Sequence, residues 1–139
     1  MRTPTSVLTL FVLFSLSIAQ IVGCREQSTF VSENMPVWIH PKRCAIRNDT
    51  SRDIKQVKLI NTRALWSSGE QSIPGRETKF IDLPEGELPN PVGVTWDVTE
   101  NCTWTLFPKF ENVPPGYDGD ILFVITEQGV TVETAELGN

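Results

Sequence analysis

The chain has 139 residues, with 12 basic and 17 acidic side chains and a formal charge of −5. No basic block occurs in it, and phosphate neutralisation needs clustered Lys and Arg, so the composition disfavours nucleic acid and none is expected as a partner. A single histidine, His40, excludes any two-histidine zinc, copper or iron site within one monomer.

In chain order, the first feature is a secretion signal. Arg2 is the one charged side chain ahead of an apolar run, Val7 to Ala19, that is too short for a comfortable bilayer span. The run leads into Ile21-Val22-Gly23-Cys24: an aliphatic residue, a small-to-medium one, a small one, then cysteine. This stretch resembles the lipobox of bacterial lipoproteins, in which the peptidase cuts just before the cysteine. The resemblance covers the first two dozen residues. It implies that residues 1–23 are a signal peptide and that Cys24 is the lipidation site, with a diacylglyceryl group on its sulfur and usually a further acyl chain, such as palmitate, on its amino group. One acyl chain binds membranes only marginally, with an association constant of about 10⁴ M⁻¹, whereas two or three hold permanently. Arg25 follows, not the aspartate that often retains such proteins in the inner membrane, so the periplasmic side of the outer membrane is expected if the source has two membranes. The competing reading is cleavage after Ser17-Ile18-Ala19, which releases a soluble secreted protein from Gln20. That leaves three cysteines in an oxidising compartment, an odd count; lipidating Cys24 leaves Cys44 and Cys102 as one possible disulfide.

The mature chain would have 116 residues, 11 basic and 17 acidic, for a net charge of −6, a length that suits one domain. Residues 24–35 are polar and lack apolar periodicity, which reads as a tether between lipid and a domain spanning 36–139. Beyond the tether the pattern is β. Strand cores are expected near 36–40, 43–47, 54–61, 63–67, 78–83, 92–98, 102–107, 120–126 and 130–134, merging into about seven strands. Turn signals such as Asn48-Asp49-Thr50-Ser51, Pro74-Gly75 and Gln128-Gly129 separate them. No segment sustains a helical period, so the expected fold is all-β, an antiparallel β-sandwich resembling immunoglobulin or fibronectin domains in architecture.

Alternation assigns faces. Val92, Val94, Trp96 and Val98 share one face of a strand; Cys102, Trp104 and Leu106 share a face of the next; Gly93, Thr95, Asp97, Thr103 and Thr105 point outward. Cys44 and Ile46 alternate against Arg43, Ala45 and Arg47. Both remaining cysteines therefore point inward, and a Cys44–Cys102 bridge, closing about 59 residues, would stabilise by around 4 kcal/mol in the chain-entropy model. Ile121-Leu122-Phe123-Val124-Ile125 is apolar on both faces. If Ile121, Phe123 and Ile125 fill the core, Leu122 and Val124 point away and, with outward-phased Phe107, form an apolar partner patch, unless the tether or a terminal strand covers them.

Chemistry is sparse. His40 lies between Ile39 and Pro41 with no nucleophile-elbow pattern around any serine, and a lone strand-end histidine is normally a surface residue. Asp82, Glu85 and Glu87 lie together, and Asp97 and Glu100 flank a turn. Asp118-Gly119-Asp120 resembles a fragment of a calcium loop but sits where a hairpin needs glycine. Asn48-Asp49-Thr50 and Asn101-Cys102-Thr103 match the glycosylation sequon, which matters only in a eukaryotic secreted chain. The four tryptophans could form a sugar-stacking platform, although phase assigns Trp96 and Trp104 to the core. The sequence thus points to a lipid-anchored, extracytoplasmic β-sandwich without cofactor or catalytic site. It is expected to bind a partner protein or serve as an accessory subunit of the envelope; a small-ligand or carbohydrate-binding module is the alternative. Its oligomeric state is not written in the sequence.

Overall fold

The computed structural model describes residues 34–35, 39–61, 66–83, 88, 90–99 and 101–138. The expected signal peptide, Cys24 and most of the expected tether lie outside them. The described residues form nine strands and no helix: β1 (Cys44–Asn48), β2 (Ile54–Asn61), β3 (Trp66–Ser67), β4 (Gln71–Ile73), β5 (Thr78–Ile81), β6 (Gly93–Thr99), β7 (Cys102–Leu106), β8 (Asp120–Thr126) and β9 (Gly129–Ala135). They build two sheets. One runs β5-β1-β8-β9; the other runs β3-β2-β6-β7, with β4 also pairing β2. The all-β sandwich is as expected, with nine strands where about seven were expected and with β1 and β8 pairing in parallel, Cys44 opposite Ile121 through Asn48 opposite Ile125, so that sheet is mixed.

The core lies between the sheets and follows the alternation. Ile46, Ile121, Phe123 and Ile125 from one sheet meet Val57, Leu59, Val94 and Trp96 from the other, all buried, and Phe110 packs edge-to-face on Phe123 at 6.0 Å. Full burial of such side chains contributes about 1.5–3 kcal/mol each. On the outer face of β6 and β7 the expected polar row is present, with Thr103 Oγ1 donating to Asp97 Oδ1 at 2.9 Å and Thr105 bonded to Thr95 at 3.1 Å.

Strand β2 departs from a period of two. Its buried positions are Ile54, Val57, Leu59 and Asn61, and the extra residue between the first two is a β-bulge, with Gln56 in the left-handed region at φ 53°. The three-residue step from Ile54 to Val57 is the trace of that bulge in the sequence. Gly93 answers to a different constraint: the Phe107 ring lies over it, and a Cβ there would come within 2.9 Å of the ring.

The domain begins before residue 36. Asn34 Nδ2 donates to the carbonyls of Val92 (2.7 Å) and Pro108 (2.8 Å), its Oδ1 accepts from Val92 N–H (2.9 Å), and its own N–H donates to Asn90 Oδ1 (3.1 Å). Met35 is buried in the core. Of the strand expected at 36–40, Ile39 and His40 are not extended into a ladder, and 36–38 lie outside the described residues.

Candidate functional site

Topology decides where the sequence candidates lie. The loop after Asn48 delivers the chain to Ile54, and β2 pairs antiparallel with β6, Lys55 opposite Asp97. Asp97 is opposite Thr103, and Cys102 opposite Thr99. Cys102 therefore sits at the Asn48 end of the sandwich. Cys44 starts β1 at the other end, four residues or about 13 Å away along the strand. A disulfide needs Cα atoms within about 7 Å, and no bond joins Cys44 to Cys102 in the structure. Alternation places both thiols inward but at opposite ends. Burial, reinforced by the charge of Asp120, pushes the Cys44 thiol up to about 12, so it stays protonated and unreactive at neutral pH.

The expected patch of Phe107, Leu122 and Val124 is not assembled either. Phe107 lies on the outer face of the β6 sheet, over Gly93. Leu122 and Val124 are on the outer face of the other sheet, 4% and 3% exposed, in a second small cluster with Ala45, Ala135 and Leu137. The C-terminal segment covers them, and a polar clamp holds it there. Asp120, opening β8, accepts Arg43 Nε at 3.3 Å and Nη2 at 2.9 Å, and its Oδ2 accepts the Leu137 N–H at 2.8 Å. Arg43 Nη2 also donates to the Leu137 carbonyl. Both main-chain groups of Leu137 are thereby held. The bonds from Arg43, then from Leu137, keep the Asp120 carboxyl below its ordinary range. A carboxyl lowered on folding stabilises above its unfolded pKa and loses that contribution as pH falls through the folded value. Stability is therefore expected to hold above about pH 5 and fall below about pH 4. Asp120→Asn should be less stable at neutral pH and show a flatter acid limb in melting curves; an acid limb unchanged in the variant would show that Asp120 does not carry it.

The remaining candidates are surface or turn features. His40 is exposed, its N–H donating to the Tyr117 carbonyl at 3.2 Å. Asp118 is exposed, and Asp120 is turned into the clamp, so Asp118-Gly119-Asp120 forms the entry to β8. Asp97 is engaged by Thr103, and Glu85, Glu87 and Glu100 lie outside the described residues. The Asn48-Asp49-Thr50 motif is structural. Asn48 is fully buried, its Nδ2 donates to the carbonyls of Arg52 (2.7 Å) and Ile73 (2.9 Å), and its Oδ1 accepts from Thr50 N–H (2.9 Å) and Oγ1 (2.6 Å). An amide so used offers no nitrogen for a glycan. Asn101, in the second sequon, is exposed.

Two features were not singled out in the sequence. Phe80 on β5 is 47% exposed, the one large apolar side chain so exposed among the described residues. The Arg43 guanidinium lies over its ring at 5.5 Å, within the range of a cation–π contact. Beside them is an open groove of about 450 Å³ reaching Lys42, Ile81, Asp82 and Leu83. A lone Phe in a short edge strand carries no sequence signal of exposure. The second feature is a cavity of about 270 Å³ at the Asn48 end, reached by Trp96 and Trp104.

No family model matches the chain, and no curated protein matches it. Among solved structures it is similar to one described as the NMR structure of the protein from Eubacterium rectale, at 17% identity over 68% of this chain and 88% of that one. The TM-score of 0.37 is too low for that likeness to bear on function.

Proposed function

We propose that the mature chain is a lipid-anchored, extracytoplasmic β-sandwich that acts without catalysis, by binding another protein of the cell envelope through the surface around Phe80. The observation that carries the binding surface is the exposure of Phe80 beneath Arg43 at the edge of an open groove. Aromatic residues and Arg are the side chains over-represented in protein interfaces and among their energetic centres. Leu122 and Val124 drop out of the partner surface because the C-terminal segment already covers them. The anchor rests on Ile21-Val22-Gly23-Cys24. The ten steps from Cys24 to the pinned Asn34 span at most about 35 Å. That length keeps the Asn34 end of the domain near the lipid and leaves the opposite end, with the β8–β9 turn, facing away. With one histidine in the chain, His40, and that exposed, an acid-base centre has little to build on.

One experiment tests both parts. Wild type, Cys24→Ser and Phe80→Ser are expressed with the native leader, labelled with a fatty acid and cross-linked in cells. Wild type is expected in the membrane fraction, labelled and cross-linked to a partner. Cys24→Ser should lose the label and appear soluble or uncleaved. Phe80→Ser should keep label and melting temperature within about 0.5 kcal/mol of wild-type stability and lose the cross-link. Label on Cys24→Ser would sink the anchor, and an unaltered cross-link in Phe80→Ser would sink the surface.

A further inference from the structure

Thr78, Lys79 and Phe80, consecutive in β5, are all exposed, and the strand has a neighbour, β1, on one side only. The ladder shows which way its main chain points. Glu77 turns its carbonyl toward β1, where it accepts from Asn48 N–H at 2.9 Å. Along a strand these groups point to alternate sides, so Thr78 and Phe80 direct theirs away from β1, to the side that no strand pairs. The Phe80 carbonyl bears this out. It accepts from Gln71 Nε2 at 2.8 Å, an exposed side-chain amide standing where the N–H of a further strand would stand.

We propose that the partner engages Phe80 as an extended segment that adds a strand to this edge of β5, with an apolar side chain against Phe80 and an acidic one opposite Lys79. The inference rests on Phe80 as the partner surface and says how that surface is read. Main-chain bonds to Thr78 and Phe80 give affinity whatever the sequence of the segment; the side chains opposite give selectivity. Residues opposite each other across a strand pair touch, and unlike charges there are favourable while like charges are not. Phe80 borders the groove of about 450 Å³, whose apolar wall includes Ile81 and Leu83, and this is the place for the apolar side chain. Lys79 is exposed and enters none of the ion pairs among the described residues. Glu77 and Asp82 stand at the two ends of the edge, so the acidic side chain has its place in the middle. A lysine on an edge deters chains that bring no acid to it, so the same residue turns other segments away.

The test repeats the in-cell cross-link with Lys79→Glu and Thr78→Pro beside Phe80→Ser. It also follows amide exchange of the purified full chain in detergent with two synthetic extended peptides as probes, one alternating Val with Asp, the other Val with Lys. Thr78→Pro removes a main-chain N–H that β1 does not use. Lys79→Glu and Thr78→Pro are each expected to lose the cross-link at unchanged melting temperature. The Val–Asp peptide should slow exchange of the Phe80 N–H about tenfold, and the Val–Lys peptide should leave it unchanged. Should Thr78→Pro not fold, the Phe80 N–H decides alone. A cross-link lost in Phe80→Ser but kept in Lys79→Glu and Thr78→Pro overturns strand addition and leaves the Phe80 surface standing, whereas one kept in Phe80→Ser overturns both. A Phe80 N–H that neither peptide protects, or that both protect alike, also overturns the proposal.

Discussion

Asn48→Ala is expected to lower stability by about 3 kcal/mol, because it strands several buried groups at once. The carbonyls of Arg52 and Ile73 lose a donor, and the N–H and hydroxyl of Thr50 lose their acceptor. The same residue joins its main chain to the next turn, its N–H donating to the Glu77 carbonyl at 2.9 Å and its carbonyl accepting from Arg76 N–H at 2.7 Å. Those bonds survive the substitution, so the turn should persist while its interior loosens. For a domain of this size the melting temperature should fall by roughly 15 °C. Asn101→Ala, in the exposed sequon, should stay within about 0.5 kcal/mol of wild type. Equal, small effects at the two sites would mean that water substitutes readily for the Asn48 amide, and the motif would lose its structural explanation.

Leu122→Thr combined with Val124→Thr should be the more disruptive change, lowering stability by about 4 kcal/mol. Truncating Leu removes buried methyl groups, and Val to Thr keeps the volume while placing a hydroxyl where no partner waits. In urea the midpoint should drop by about 2 M with an unchanged slope. A melting temperature that did not move, accompanied by loss of a binding partner, would restore these two residues to an exposed interaction surface and would mean that the C-terminal segment is not held against them in solution.

Much of the sandwich can be read from alternation. Val92, Val94, Trp96 and Val98 are on the core side as their phase requires, and Ile121, Phe123 and Ile125 likewise. Alternation reports which side of a strand a residue occupies and nothing about which sheet the strand joins or which end of it the residue marks. That is why Phe107 and Leu122, both correctly phased outward, lie on opposite faces of the molecule, and why Cys44 and Cys102, both inward, are far apart. Strand β4 leaves no trace in the alternation because Gln71-Ser72-Ile73 offers one apolar side chain; its pairing to β2 at Ile54 and Val57 is a tertiary matter. Asn34 and Met35 read as tether for the same reason: a polar residue followed by Met has no period, and the bonds that hold Asn34 come from residues 56 to 74 positions away.

The parallel pairing of β1 with β8 also sets the order in which the molecule can be assembled. Arg43 and Asp120 are 77 positions apart, so β1 must wait for almost the last strand before its inner edge is filled. The other sheet draws on strands between them, largely through hairpins. Pairings of such long range are slow to form, and until β8 arrives the apolar edge of β1 is open to any neighbouring chain. The vulnerable interval therefore precedes the closing of that parallel pair, and the Arg43–Asp120 clamp on Leu137 comes last, sealing the strand that completed the sheet.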